Sequence, residues 1–251
     1  MLTKIVRIYF SFHFYYIIFY DKLEIEIKMI EINEIFSDSD KRLALWCSNV
    51  VDTNDLAGMA DDIIKNDIHL VSVPHDIVNL MWVYLEKSDV KILTRFIFEP
   101  RQKGLDSAVY DLAADIKNVC KKGANGVQIF IRMSDFESFI EKISVVRDDL
   151  FFAHDLYPIM DIQDIDVNNW QGIFQKLQDV RAKALVLTLR EDMKNRSDFV
   201  GRVYGMLQQW NTDTELHFVL NNNFDRMEQV IRLVESEKPE FRDKLRFFLD
   251  Y

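Results

Sequence analysis

The chain has 251 residues, 49% of them hydrophobic and 13% aromatic, which excludes a disordered protein and allows one large domain or two small ones. Its net charge of −10 argues against nucleic acid or a membrane surface as a partner. Cys47 and Cys120 form no paired motif, so we expect reduced thiols in a cytoplasmic protein.

The first 28 residues read differently from the rest. Residues 5–20, IVRIYFSFHFYYIIFY, are rich in aromatic side chains but contain Arg7 and His13. The run is also shorter than the roughly 20 apolar residues of a membrane-spanning helix. We expect residues 1–28 to be an N-terminal extension outside the main domain. Three interpretations stay open: a stretch that precedes the natural start at Met29, an appended hairpin, or a membrane anchor.

From Arg42 onward, short apolar runs alternate with segments of helical spacing. Strands that alternate with helices favour right-handed βαβ units and a parallel sheet. Eight strand-like runs with seven helix-like segments between them, in about 210 residues, predict a single (β/α)8 TIM-barrel domain over residues 29–251, of the α/β class, with the chain ending at about strand eight. The predicted strands span residues 43–49, 68–73, 90–98, 126–132, 151–154, 183–189, 215–220 and 246–249.

An open, doubly wound sheet is the competing architecture. Its central strands would be apolar on both faces, whereas several runs here carry polar residues on one parity. These residues are Gln128 and Arg132 in one run, Thr94 in another, and His217 and Asn221 in a third. Polar residues of one parity are typical of a barrel interior near its mouth, and the barrel is therefore favoured.

Three stretches in the first half of the chain carry a resemblance to a known family. They are LWCSNVVDTNDLAGMADDII, HLVSVPHDIVNLMWVYLEKSDVKILTRFIFEP and GANGVQIFIRM. Over residues 43–133 the chain resembles the deoxyribose-phosphate aldolases, which are class I aldolases with a TIM-barrel fold. The resemblance implies a lyase that forms a Schiff base with its substrate through a strand-six lysine.

The residues that would perform that chemistry are replaced. By the resemblance, the strand-four aspartate falls on Gln128 and the Schiff-base lysine of strand six on Val186 or Leu187. The second lysine, on strand seven, falls on Phe218 or Val219. An imine needs an amine in the pocket. The sequence therefore predicts a barrel that lacks the Schiff-base lysines.

Two further features support this interpretation. Lys91 and Lys183 stand at the N-terminal ends of their predicted strands, which is the end of a TIM barrel that serves stability. The family's glycine-rich phosphate turns fall on Asn222 and Asn223 and near the final predicted strand. Few backbone amides would then approach a phosphate closely.

The candidate ligand-binding residues are polar groups within or just after predicted strands. Gln128, Phe130 and Arg132 should face into the barrel, with Gln128 bonded to a side chain of a neighbouring strand and Arg132 to a carboxylate or an anionic ligand. The predicted ligand-binding set is Asn49, Glu99, Gln128, Arg132, His154, Asp155, Arg190 and Asn221. Other polar groups expected at the mouth are Ser48, His75, Glu191, Asn222 and Asp250.

A divalent metal could be bound by four of these residues together, Glu99, His154, Asp155 and Asp250. These residues come from different strands without a spacing motif, so no metal and no other cofactor is predicted. Two functions stay open. One is a lyase or isomerase that acts on a small carbonyl or sugar-like compound without a Schiff base. The other is a non-catalytic barrel that binds a ligand or a protein partner, and either form is compatible with a homo-oligomer.

Overall fold

The computed structural model describes residues 42–48, 53–100, 104–151, 154–190 and 196–251. All of them belong to one compact unit, Lys41–Tyr251. The N-terminal extension predicted for residues 1–28 lies outside the described residues, as do Asn49 and Glu191. Within the described part of the chain, no helix combines the length and the apolar character that crossing a membrane requires.

Eight parallel strands form a closed barrel in the order of the sequence. The strands are β1 (Leu43–Trp46), β2 (Leu70–Val73), β3 (Lys91–Ile97), β4 (Gly126–Phe130), β5 (Asp155–Asp161), β6 (Ala184–Thr188), β7 (Glu215–Val219) and β8 (Leu245–Asp250). Closure is made by β1 and β8, which pair from Leu43 with Phe247 to Trp46 with Asp250. The predicted (β/α)8 barrel is confirmed, and the open sheet is excluded.

Seven α-helices of the described region follow the strands. They are α1 (Thr53–Lys65), α2 (Val78–Leu85), α3 (Leu105–Lys121), α4 (Phe136–Phe151), α5 (Trp170–Asp179), α6 (Arg196–Gln209) and α7 (Phe224–Glu237). Helices pack on the outer face of the sheet, where Phe98 meets Phe139 of α4 edge-on at 5.3 Å between ring centroids. This arrangement leaves the barrel interior to the side chains of opposite parity.

The prediction of strand five was wrong. The apolar run after residue 149 belongs at first to α4, which continues to Phe151, and the strand begins only at Asp155. A short apolar run cannot be told from the last turn of a helix by periodicity alone. Pro158 then made the true strand look like a loop, because proline is rare in central strands. In the structure Pro158 lies within β5, opposite Ile129 of β4.

Residues of one parity fill the barrel. The interior cluster contains Trp46, Leu93, Tyr157, Val186 and Phe248, among others. Successive side chains of a strand point to opposite faces. Strand β3 therefore presents Leu93 and Arg95 to the interior, and Thr94 points outward, contrary to the prediction that Thr94 lines the barrel.

Candidate functional site

The floor of the barrel mouth is made of aromatic rings. Trp46 of β1 meets Phe248 of β8 edge-on at 5.5 Å and Phe130 of β4 at 6.3 Å between ring centroids. Trp46 and Phe248 are buried, and Phe130 packs against the same cluster. The rings close the barrel interior at this end, and a ligand would find its polar partners around the rim.

Arg95 lies on this floor. Its guanidinium carbon is 4.3 Å from the centroid of the Trp46 ring, and one terminal nitrogen, Nη2, donates a hydrogen bond to the backbone carbonyl of Cys47. The side chain thus reaches from β3 to the end of β1. Burial lowers the pKa of Arg95, and the negative charge of Asp250 opposes that shift. Stacking on an indole fixes the plane of the guanidinium, and the remaining donors lie in that plane.

Beside Arg95, the end of β8 carries an exposed carboxylate. The hydroxyl of Ser48 donates to Oδ1 of Asp250. The backbone of Asp250 is held by Asn222, whose Oδ1 accepts from the Asp250 amide at 2.8 Å and whose Nδ2 donates to its carbonyl at 3.1 Å. Asn221 and Asn222 have φ values of 50° and 55°, a left-handed turn that asparagine tolerates better than most residues.

A second group of charges follows β5 and β6. Asp161 accepts the backbone amide of Gln163 at 2.8 Å and lies 3.4 Å from Nε of Arg190. Nη1 of Arg190 lies 3.1 Å from Asp164, and the amide oxygen of Gln163 accepts from Nε of Arg190 at 3.2 Å. Arg190 is thus paired with the carboxylates of Asp161 and Asp164, and neither of these residues was among the predicted site residues.

Below the aromatic floor, Ser72 of β2 and Gln128 of β4 form a buried polar pair. The Ser72 hydroxyl donates to Oε1 of Gln128 at 2.5 Å, and Nε2 of Gln128 has no partner among the described groups. Gln128 is bonded to a side chain of another strand, but that strand is β2 and not the neighbouring strand that was predicted. Barrel layers draw their side chains from alternate strands, so β2 and β4 share a layer.

Other predicted site residues lie at the mouth without partners. Arg132 is exposed just after β4, and Glu99 is half-buried after β3. The side chain of neither residue makes a hydrogen bond or ion pair with another described residue. Asn221 is exposed after β7. Their role in ligand binding stays a prediction.

The predicted positions of His154 and Asp155 at the mouth were wrong. Because β5 begins at Asp155, opposite Gly126 at the start of β4, both residues lie at the opposite end of the barrel. There Asp155 lies 3.5 Å from Nζ of Lys91 and accepts from the hydroxyl of Tyr157 at 3.3 Å. They cannot join Glu99 and Asp250 in a metal site. Across the described ranges, no group of three or more His, Cys, Asp or Glu side chains could hold a metal ion.

That lower end of the barrel holds an ionic cluster around Glu215. Its carboxylate lies 2.7 Å from Lys183, 3.0 Å from Nε2 of the buried His217, and 3.3 Å from Nε of Arg246. Burial raises the pKa of Glu215, but hydrogen bonds from His217 and Lys183 outweigh that effect and lower it to about 2. Burial lowers the pKa of His217 in spite of the hydrogen bond to Glu215. Lys91 and Lys183 lie at this end, as predicted.

The aldolase lysine positions are apolar in the structure. Val186 of β6 and Val219 of β7 belong to the interior cluster. Leu187 and Phe218 have the opposite parity, and Phe218 stacks on Phe247 at 5.9 Å between ring centroids. No lysine side chain belongs to the interior cluster of the described barrel, so an imine-forming amine is absent from that cluster.

Arg95, Trp46 and Asp161 were missed by sequence reasoning. Arg95 lies two residues after Leu93 in the run VKILTRFIF, so both side chains point to the same face of the strand. This alternation was the signal available. Asp161 was missed because strand five was placed too early. Its position directly after the apolar run LYPIM indicates the end of a strand.

The sequence matches no protein-family model and no curated protein. Solved structures share its fold. The tetrameric deoxyribose-phosphate aldolase from Aeropyrum pernix is 11% identical, with a TM-score of 0.60, over 89% of this chain and 92% of that one. An aldolase with a TM-score of 0.58 is 12% identical over 84% of this chain and 91% of that one.

A protein from Streptococcus agalactiae described as the copper homeostasis protein CutC is 11% identical, with a TM-score of 0.57. That match covers 84% of this chain and 98% of the other. At identities this low, the structural matches establish a common barrel fold alone. The expected likeness to the aldolases in fold is confirmed. The named activities belong to those proteins, since one fold hosts many functions.

Proposed function

We propose that this aldolase-like barrel binds a small carbonyl or sugar-like compound at its mouth and acts on it as a lyase or isomerase without a Schiff base. The observation that carries the proposal is the placement of an exposed carboxylate, Asp250, and a half-buried guanidinium, Arg95, around one aromatic residue: Asp250 pairs in strand register with Trp46, and Arg95 stacks on the Trp46 ring. Both groups lie at the C-terminal ends of the strands, where TIM-barrel enzymes place their active sites.

The two groups have complementary roles in this proposal. Oδ1 of Asp250 accepts from Ser48, and its second oxygen accepts no hydrogen bond from a described residue. That oxygen would remove a proton from the carbon beside the substrate carbonyl. Arg95 would stabilise the negative charge that develops on the carbonyl oxygen, because a fixed cation in a partly desolvated site favours an enolate. Asp161 suits the base role less well, since Gln163 and Arg190 both engage it.

Proton exchange tests the proposal. Dihydroxyacetone, glycolaldehyde and other small hydroxy-carbonyl compounds are incubated with the protein in D2O, and the loss of the α-proton signal is followed by NMR. We expect exchange above the buffer rate, lost in Asp250→Asn and kept in Asp198→Asn, whose carboxylate pairs with Arg202 on the surface of α6. Exchange at the buffer rate for the whole panel would contradict the proposal.

We also propose a homo-oligomer that forms through helix α2. The exposed side of this helix, here called the α2 face, carries Leu80, Trp82, Val83 and Tyr84, which are 39%, 42%, 55% and 41% exposed. The helix has no charged residue, although the chain carries a net charge of −10. Two acidic copies repel each other least where neither carries charge, and apolar patches mark interaction sites. The tetrameric aldolase from Aeropyrum pernix shares the fold.

A cytoplasmic location completes the proposal. Neither Cys47 nor Cys120 forms a disulfide bond; Cys47 is buried and Cys120 is half-buried. Burial raises the pKa of the Cys120 thiol to about 11, which keeps it protonated and slow to oxidise. Cysteines outside disulfide bonds suit a reducing compartment. Localisation of a tagged full-length chain by microscopy and fractionation tests this, and recovery in a secreted or membrane fraction would contradict it.

A further inference from the structure

Arg95 is a half-buried cation whose charge is not neutralised by direct contact. Among the described residues, no carboxylate lies within ion-pair distance of its guanidinium, and its one hydrogen bond goes to the Cys47 carbonyl. Its Nε and Nη1 donors have no partner in the described part of the chain. A half-buried guanidinium that stacks on an indole at the mouth and meets no carboxylate among the described residues offers its donors to an anion.

The shape of the group defines that anion. The Trp46 ring, 4.3 Å from the guanidinium carbon, covers one face of the plane and leaves the edge for hydrogen bonds. A planar guanidinium edge presents two parallel donors, which match the two oxygens of a carboxylate. A flat carboxylate in the plane of the guanidinium would also extend over the aromatic floor.

Asp250 and Ser48 define the rest of the ligand. Asp250 pairs in strand register with Trp46, the ring on which Arg95 stacks, so the two groups share one end of the mouth. A second carboxylate beside Asp250 would be repelled unless a donor lay between them. The second oxygen of Asp250 has no donor among the described residues, and a ligand hydroxyl beside the carboxylate would supply one.

Phosphate fits less well. Phosphate sites in barrels rely on several backbone amides in turns and at helix N-termini. Near β7 and β8 two such donors are already engaged: the Asp250 amide bonds Oδ1 of Asn222, and the Asn223 amide bonds the Leu220 carbonyl. These two amides are therefore not free to bind a phosphate.

We infer that the substrate of this mouth is a small hydroxy-carboxylate, whose carboxylate binds the edge of Arg95 and whose hydroxyl donates to Asp250. The inference deepens the proposed function and rests on it. It names the chemical class of the compound and gives Arg95 a role in specificity.

Binding of matched small molecules tests the inference on the full chain. Titration by calorimetry or ligand-observed NMR compares lactate with propane-1,2-diol, which lacks the charge, and with propionate, which lacks the hydroxyl. Inorganic phosphate and glycerol phosphate form the phosphate arm. We expect lactate to bind at least about tenfold more tightly than each of these, because a lost charge-assisted pair or hydrogen bond costs about 1.4 kcal/mol or more.

Variants assign the contacts. Arg95→Met keeps the stem over Trp46 and should weaken lactate binding at least about tenfold, and Arg95→Lys should restore part of it. Asp250→Asn should reduce the preference for lactate over propionate. Arg232→Gln, at an exposed surface ion pair with Glu228, should change nothing. Circular dichroism and thermal melting confirm that each variant is folded.

Four outcomes overturn the inference. Lactate binding that survives Arg95→Met would remove the guanidinium contact, and tighter binding of phosphate would assign the site to phosphate esters. If neutral hydroxy-carbonyl compounds undergo Asp250-dependent exchange while lactate binds no better than propane-1,2-diol, the inference fails and the proposed function stands. If neither exchange nor binding occurs with any compound, both fail.

Discussion

Gln128 and Ser72 show how a buried polar pair is kept inside an otherwise apolar barrel. Both side chains are fully buried, and the hydroxyl of Ser72 finds its acceptor on Gln128 at 2.5 Å. The structure shows a second amide donor on Gln128 without a partner among the described groups. The pair is therefore only half satisfied, and its stability should depend on both members together.

Replacing one member should cost more than replacing both. Gln128→Leu leaves the Ser72 hydroxyl buried without an acceptor, and we expect the free energy of unfolding to fall by about 1–3 kcal/mol. Adding Ser72→Ala should recover part of that loss, because no polar group is then left unpaired. Urea denaturation of the single and double variants gives the coupling free energy. A double variant that is as unstable as the sum of its parts would show that the two side chains are not coupled.

His217 and Glu215 make the stability of the barrel depend on pH. Because burial lowers the pKa of His217 below its ordinary value of 6.5, the unfolded chain takes up a proton before the folded one as the pH falls. The contribution of His217 is complete above pH 6.5 and is lost below it. The contribution of Glu215, whose pKa is lowered from 4.5 to about 2, is complete above pH 4.5 and is lost as the pH falls toward 2.

We therefore expect the free energy of unfolding to decline below pH 6.5 by up to about 1.4 kcal/mol per pH unit for His217 alone. His217→Gln should be less stable at pH 7 but should show a shallower decline between pH 6.5 and 5. His75→Gln, at an exposed position, serves as the control and should follow the wild type. Urea denaturation from pH 8 to 4 measures all three. Parallel curves for wild type and His217→Gln would show that His217 does not titrate in this range.

At the scale of single elements, helix α2 and the turn after α3 are linked by a close contact. Gly123 has a φ of 110°, and a β-carbon built there would lie 2.3 Å from Cγ of Trp82. Glycine at this position thus allows both the left-handed turn at the end of α3 and the close approach of the Trp82 ring. The contact holds part of the α2 face in position.

Gly123→Ala should therefore destabilise the barrel by at least about 1 kcal/mol, through left-handed strain and displacement of Trp82. Gly172→Ala is the matched control, because a β-carbon at Gly172 of α5 meets nothing within 4 Å. That change should be neutral or stabilising by up to about 1 kcal/mol. Thermal melting compares the two. Equal effects of the two substitutions would show that the Trp82 contact carries no constraint.

The α2 face also has a direct test. Val83→Lys places a charge at the centre of the face, and we expect the dissociation constant of the oligomer to rise at least about tenfold. Val145→Lys makes the same change on α4, where the valine is 79% exposed, and should leave the mass unchanged. Sedimentation equilibrium over a range of concentrations measures both. A wild-type chain that is monomeric at every concentration would remove the proposal of an α2 interface.

Elements were predictable where their pattern was unambiguous. Seven of the eight strands were placed at nearly their observed positions because turn residues and helical periodicity bounded each apolar run. Strand five failed because a proline stands inside it and a helix ends in apolar residues before it. The parity of β4 placed Gln128 correctly, but no pattern in the sequence shows that Arg95 stacks on Trp46, since that contact joins two strands through space.

At the scale of the whole molecule, the residues at the aldolases' lysine positions argue against Schiff-base chemistry. Those positions fall on Val186 or Leu187 and on Phe218 or Val219, and Lys91 and Lys183 lie at the far end of the described barrel in ion pairs. Borohydride reduction with deoxyribose 5-phosphate or acetaldehyde should therefore trap no stoichiometric adduct, as judged by the mass of the intact chain. A known class I aldolase under the same conditions is the positive control. An adduct mapped to any lysine of the barrel would overturn this prediction.

The pairing of β1 with β8 ties residue 43 to residue 247. Until residues 245–250 are in place, β1 and β7 both expose unpaired backbone groups, which are templates for pairing with other chains. Contacts this distant along the chain form slowly, because a long loop must close before they become favourable. The pairing of β8 with β1 and β7 is thus the step of folding that closes the barrel. Refolding should be slow and sensitive to protein concentration, and a chain stalled before its last strand would be an aggregation hazard.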